Sequence, residues 1–225
     1  MVAWHAQEKR GLDKLREHSI IAASHDAAAR WPPPRCHPGT RVEVVDLLIK
    51  WGSRLVGSVA IIWVKGPAGV GKSAIAQSVA DALKEILGAS FFFSRPNRRD
   101  DPNRFFLTLA HQLATRFPDS GYGNVINKLI RRDPTIVEKT LLEQFLHLFV
   151  IPFRRLNDAQ RCFSSKVIIV DGLDECNGEG AQAEIIRIIV ESVRSGTTPF
   201  RWLILSRLES HHQEKAIPLI PTDCP

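Results

Sequence analysis

The stretch GPAGVGKSAIAQ (Gly66–Gln77) follows directly on the apolar run VAIIWVK. It meets the pattern G-x-x-x-x-G-K-[ST] in full, with Gly66, Gly71, Lys72 and Ser73 at the fixed positions. A greasy strand, a glycine-rich turn and a helix opening on Lys-Ser leave few folds open, because the turn must carry the chain from a sheet to a helix packed against it. Gly69 and Gly71 permit backbone angles and close approaches that a side chain forbids. Such a loop wraps phosphates in backbone N–H donors, with the positive end of the helix behind them. On this reading Gly66, Pro67, Ala68, Gly69, Val70, Gly71, Lys72, Ser73 and Ala74 form a nucleotide-binding loop. Lys72 contacts the β- and γ-phosphates, and Ser73 ligates Mg²⁺.

The rest of the chain supplies strands and helices in alternation. Val59–Val64, Ala89–Ser94, Lys166–Val170 and Phe200–Arg207 are apolar runs of strand length. The continuous runs suit a parallel sheet buried on both faces. Between them, Ile75, Val79, Leu83 and Ile86 mark one helix, and Phe106, Leu109, Leu113 and Phe117 another that stops at Pro118. Leu141, Leu142, Phe145, Leu148 and Phe149 mark a third, stopping near Pro152, and Ile185, Ile186, Ile189 and Val193 a fourth. The expected fold is therefore a three-layer α/β domain with about four strands, mainly parallel, and helices on both faces.

Residues 1–30 are charged and alanine-rich without a clear apolar face, and read as a helical lead-in. WPPPRCHPG (31–39) reads as a stiff linker, since prolines restrict the backbone. The domain proper then spans 40–207, and 208–225 form an irregular tail. At the start of the domain, Thr40 and Glu43 have the spacing of a capping box, with Val42, Val45, Leu48 and Ile49 on one face.

A formal net charge of +6 favours polyanionic partners, yet the basic residues are spread along the chain, which argues for a solvated surface over nucleic-acid binding. Four cysteines without a C-x-x-C pair fit reduced thiols in the cytoplasm. The start lacks the apolar core of a signal peptide. No apolar run approaches the roughly 20 residues that a membrane helix needs.

VIIVDGLDE brings Asp171 to the C-terminal end of a strand, where a second Mg²⁺ ligand is required. Ligands of parallel sheets bind beyond those strand ends, so Asp171 and the glycine loop are expected to meet. Asp174 and Glu175 follow within a turn, and a carboxylate there can orient or deprotonate an attacking water. Glu175 is the first choice and Asp174 the second. Arg207, at the end of the last strand, is placed to stabilise charge in transfer. Transfer to an acceptor other than water would need a lid of arginines. Only Arg95, Arg98, Arg99 and Arg104 resemble one, and they lie on the wrong side of the helical insert.

Taken in order, HDAAARWPPPRCHPGTR, IIWVKGPAGVGKSAIAQ, ASFFFSR, VIIVDGLDEC and FRWLILSR resemble the NACHT class of STAND P-loop NTPases. The likeness is closest to fungal proteins with a nephrocystin-like N-terminal NACHT domain. The resemblance implies Mg²⁺-dependent binding of ATP, or of GTP, with slow hydrolysis as a signalling switch. It also implies self-association or association with other NACHT proteins. Thr40 and Arg41 match the adenine-side loop of that class, a role that stands beside the capping-box reading of Thr40. Members of the class continue past the strand-end Arg into a further strand and helical, winged-helix and sensor domains, so the chain reads as a truncated piece of a larger switch. With four strands, the glycine-loop strand is then expected at an open edge. The alternative is a non-hydrolysing module that engages full-length NACHT proteins.

Overall fold

The computed structural model describes residues 10–37, 39–54, 59–156, 162–163, 166–178 and 180–207. The tail expected after Arg207 and residues 1–9 of the lead-in lie outside them.

The four apolar runs form one sheet, β1 (Ile61–Lys65), β2 (Leu87–Phe92), β3 (Val167–Asp171) and β4 (Arg201–Ser206), in the spatial order β1-β4-β3-β2. All three pairings are parallel. Alternation along the strands sends Ile168, Val170, Trp202 and Ile204 to one face, and Val167, Ile169, Leu203 and Leu205 to the other. The second face is covered by α2 (Val42–Gly52) and α3 (Lys72–Ala82), through Leu48, Trp51, Ile75 and Val79. The first is covered by α4 (Phe105–Arg116), α5 (Tyr122–Arg132), α6 (Leu141–Phe145), α7 (Ile151–Arg155) and α8 (Ala181–Arg194), which carry a large phenylalanine cluster. The fold is thus the three-layer α/β arrangement.

The two edges of the sheet differ. Every residue of β2, β3 and β4 is buried, whereas all five of β1 are only half-buried. β1 pairs with β4 alone among the described strands, so the glycine-loop strand does lie at an open edge. On β2 the outward-facing peptide of Ser90 is instead closed by a side chain. The Gln112 carboxamide accepts from Ser90 N at 2.9 Å and donates to Ser90 O at 2.8 Å, as a neighbouring strand would.

The segment ahead of the proline-rich stretch packs into the same core. Leu15, Ile20 and Ala23 are buried with the α4 and α5 side chains. The first helix, α1 (Arg10–Glu17), is too short to hold itself together, and both its ends are satisfied from the body. Asn127 Oδ1 accepts from Gly11 N and Leu12 N at 3.0 and 3.2 Å. The Arg104 guanidinium donates to the carbonyls of Glu17, His18 and Ser19. Gly11 is required at this contact, since a Cβ there would stand 2.5 Å from Asn127 O.

Two local expectations are corrected. Thr40 does not cap α2: its hydroxyl donates to His37 O at 2.8 Å. The N-cap is Arg41, whose left-handed backbone (φ 56°) turns the chain into the helix one residue later. Nor does the helix of the phenylalanine cluster stop near Pro152. It passes through a π-helical turn, Leu146–Val150, and continues as α7 to Arg155. Pro152 has no N–H to give to Leu148 O, four residues back. The buried Tyr122 hydroxyl donates to that carbonyl instead, at 2.6 Å. Tyr122→Phe should therefore leave a buried carbonyl unpaired and cost about 1–3 kcal/mol. Urea unfolding of the two chains measures this, and equal stabilities would refute it.

Candidate functional site

The glycine loop runs from Gly66, just past β1, to the N-cap of α3 at Gly71. Gly69 and Gly71 have φ of 80° and 86°, the left-handed region where a side chain strains the backbone. Gly71 has no side chain to offer the first-turn N–H groups of α3, which point into the loop. Pro67, Ala68 and Gly69 are exposed, so the mouth of the loop faces solvent, while Val70, Lys72, Ser73 and Ala74 are half-buried. Lys72 Nζ donates to Gly66 O and Pro67 O at 2.7 and 2.8 Å, folding the ammonium back across the loop.

The parallel pairing brings the loop and the ends of β3 and β4 together. Lys65 lies beside Ser206, and Asp171 lies between Leu205 and Phe92. Asp171 is 3% exposed. Its Oδ1 is buried and, among the described residues, without a hydrogen-bond partner. Burial pushes this carboxyl up to about 6, against the pull of the nearby Ser73 hydroxyl and the Arg30 charge, with Asp174 and Glu175 adding to the rise. A half-buried hydroxyl close to a buried carboxylate with an oxygen to spare supplies hard-oxygen donors of the kind that hold a small divalent cation. Among the described residues, no cluster of three or more His, Cys, Asp or Glu is arranged for a metal.

Three of the four residues after Asp171 have separate tasks. Gly172 is left-handed (φ 68°), and a Cβ there would stand 3.1 Å from Phe93 O. Asp174 is buried with both oxygens taken by Arg207, one by the backbone N–H at 2.9 Å and the other by Nε at 3.1 Å. Glu175 is half-buried at the rim and accepts from Arg95 N at 3.0 Å. Arg207 is about half exposed, its side chain turned to Asp174. Three of the four arginines that resembled a lid are used on carbonyls. Arg95 donates to Asp174 O, Glu175 O and Cys176 O. Arg99 donates to Phe92 O, and Arg104 closes α1.

Thr40 has its hydroxyl spent on His37. Arg41 is exposed and its guanidinium lies over the loop, with Nε 3.2 Å from where a Gly71 Cβ would be. Arg30 escapes sequence reasoning altogether. It projects from the lead-in onto the Phe92 ring, 3.5 Å from the centroid, and donates to Gln77 Oε1 at 2.7 Å. Burial pushes its guanidinium down to about 10, with Arg99 adding to the fall and Asp171 opposing it. Only its place in the fold, and no local spacing, marks it out.

The family described as nephrocystin 3, N-terminal, matches residues 48–207, well over half of the chain. The chain belongs to the nephrocystin 3 N-terminal family. The family match contains β1–β4, the glycine loop, Asp171 and Arg207, and begins inside α2, so the lead-in with Arg30 and the Thr40–Arg41 turn precede it. No curated protein and no solved structure matches the chain. Among the described residues, no helix is long and apolar enough to cross a membrane.

The buried carboxyl has a pH signature. Asp171 binds its proton more tightly in the folded chain than at its ordinary value of 3.8. Between pH 4 and 6, roughly, the native state holds the extra proton, so its contribution to stability falls as pH rises through that window. The loss is about 3 kcal/mol. Asp171→Asn should thus be more stable than the parent chain near pH 7, with the gap closing near pH 4. Denaturant unfolding at the two pH values checks this, and a gap independent of pH would contradict it.

Proposed function

We propose that this chain is the nucleotide-binding domain of a NACHT-type STAND switch, a P-loop NTPase that takes ATP, or GTP, with Mg²⁺. The observation that carries the reading is the buried Asp171 carboxylate, with its Oδ1 unpaired among the described residues and the Ser73 side chain nearby, at the mouth of a left-handed glycine loop. Phosphates would lie on the N–H groups of Gly69–Ala74, and Lys72 would exchange the Gly66 and Pro67 carbonyls for phosphate oxygens. Ser73 and Asp171 would hold Mg²⁺, which supplies charge neutralisation for the phosphates.

Hydrolysis on this reading rests on Glu175. It stands at the rim, where a water could be oriented, whereas both oxygens of Asp174 are committed to Arg207. Arg207 lies at the end of β4, next to the loop strand, and senses charge there with Asp174 as its tether. Arg41, over Gly71, and Thr40 would flank the base. The reduced cysteines Cys36, Cys162 and Cys176 suit the cytoplasm, the compartment of such switches. The kinship with fungal NACHT proteins extends the same reading.

A second reading draws on the half-buried β1 edge. A module that pairs through this edge with itself or with other NACHT proteins could bind nucleotide without turning it over. The two separate on phosphate release.

Equilibrium binding of Mg·ATP, with GTP and ADP alongside, tests the site. Lys72→Ala should abolish saturable binding, and an unchanged affinity would overturn the assignment. Glu175→Gln should retain binding and reduce phosphate release to background. Absence of Lys72-dependent release from the parent chain would favour the second reading.

A further inference from the structure

The lead-in reaches the candidate site through one side chain. Arg30 closes a short 3₁₀ turn (Ala28–Arg30), and its side chain reaches Gln77 of α3. Its guanidinium stacks on Phe92, donates to Gln77 Oε1 at 2.7 Å and donates to His25 O at 3.0 Å. Both acceptors are fixed in turn. Gln77 Nε2 donates to the same His25 carbonyl at 3.2 Å and to Asp81 Oδ1 at 2.9 Å. His25 N donates to Ser90 Oγ at 2.9 Å, on the closed edge of β2. Gln77 is one helical turn beyond Ser73, on the same side of α3. Phe92 is the cross-strand neighbour of Asp171. The Arg30 guanidinium thus bears at once on the helix that carries Ser73 and on the strand beside Asp171.

We propose that Arg30 is a positioning residue of the phosphate-loop site, tying the lead-in to α3 and to β2 so that Ser73, one turn before Gln77, keeps its place relative to Asp171, the cross-strand neighbour of Phe92. This rests on the reading of the loop as a nucleotide site. The planar guanidinium is suited to the task, since it lies flat on the ring while its N–H groups reach two acceptors in its own plane. The hydrogen bonds and ring contact of Arg30 go to His25, Gln77 and Phe92, not to the loop amides or Lys72, so its effect should fall on the metal-dependent part of binding. The loop amides and Lys72 hold phosphate without it. By linkage, occupancy of the site should in turn tighten the docking of residues 10–30.

The test compares the parent chain, Arg30→Ala and Arg30→Lys by hydrogen exchange and by equilibrium binding of ATP, with Mg²⁺ and with excess EDTA. In Arg30→Ala, exchange of the α3 amides should accelerate about tenfold while α4 remains protected, and affinity for Mg·ATP should fall about tenfold, the size expected for losing hydrogen bonds from a charged donor. Affinity in EDTA should change by less than about twofold on the same grounds. Arg30→Lys, which keeps the charge and one acceptor, should recover part of both losses. Unchanged α3 exchange would overturn the proposal, as would equal losses with and without Mg²⁺, the mark of general destabilisation. If Arg30→Ala does not fold, a parent-like Arg30→Lys in both measurements would likewise overturn it. If the parent chain binds no ATP, the phosphate-site reading itself fails. The exchange comparison then decides alone whether Arg30 holds the helix.

Discussion

A carboxylate buried at the end of a strand is expensive, and the surroundings of Asp171 are arranged around that cost. Desolvation favours the protonated form, and the Ser73 hydroxyl and the Arg30 charge relieve it only in part. The two further acids nearby add to the strain, even though Asp174 is paired with Arg207 and Glu175 is turned to the Arg95 amide. The chain tolerates a poorly solvated anion beside a loop of unpaired N–H donors. On the nucleotide-binding proposal, such an arrangement would sacrifice stability for readiness to meet a cation and an anion together.

The lead-in belongs to this arrangement as well as to the core. A helix of eight residues has little stability of its own. Here Asn127 and Arg104 supply the missing partners at its two ends, and Thr108 Oγ1 accepts from Ile20 N at 2.8 Å beyond it. The same segment then delivers His25 and Arg30 to β2 and α3. Its order depends on the body, and through Gln77 the glycine-loop helix leans on it in return.

What could be read from the sequence had local causes. Buried parallel strands are continuous apolar runs, so Val167–Asp171 and Arg201–Ser206 stood out. The glycine spacing announced the left-handed turn, and alternation of strands with helices gave the three layers. The missing parts depend on distant partners. Thr40 and Glu43 had the right spacing for a cap, but the left-handed Arg41 started the helix elsewhere. Pro152 reads as a stop unless one knows that Tyr122 will serve its orphaned carbonyl. α1 offers only Leu12 and Leu15 as its apolar face, too short a stripe to stand out, and its ends are held by side chains about 90 or more residues away in the chain. Arg30 is invisible for the same reason.

The unequal edges of the sheet give the domain a direction. On the β2 side, Gln112 already occupies the place of a neighbouring strand, and residues of the lead-in lie over it. On the β1 side, Ile61–Lys65 is half-buried and, among the described strands, paired once. The sheet can therefore be extended from one end only, and that end is the strand that feeds the glycine loop. Any strand added there would stiffen the base of the loop from outside, so lateral assembly and the state of the loop would share a single piece of backbone.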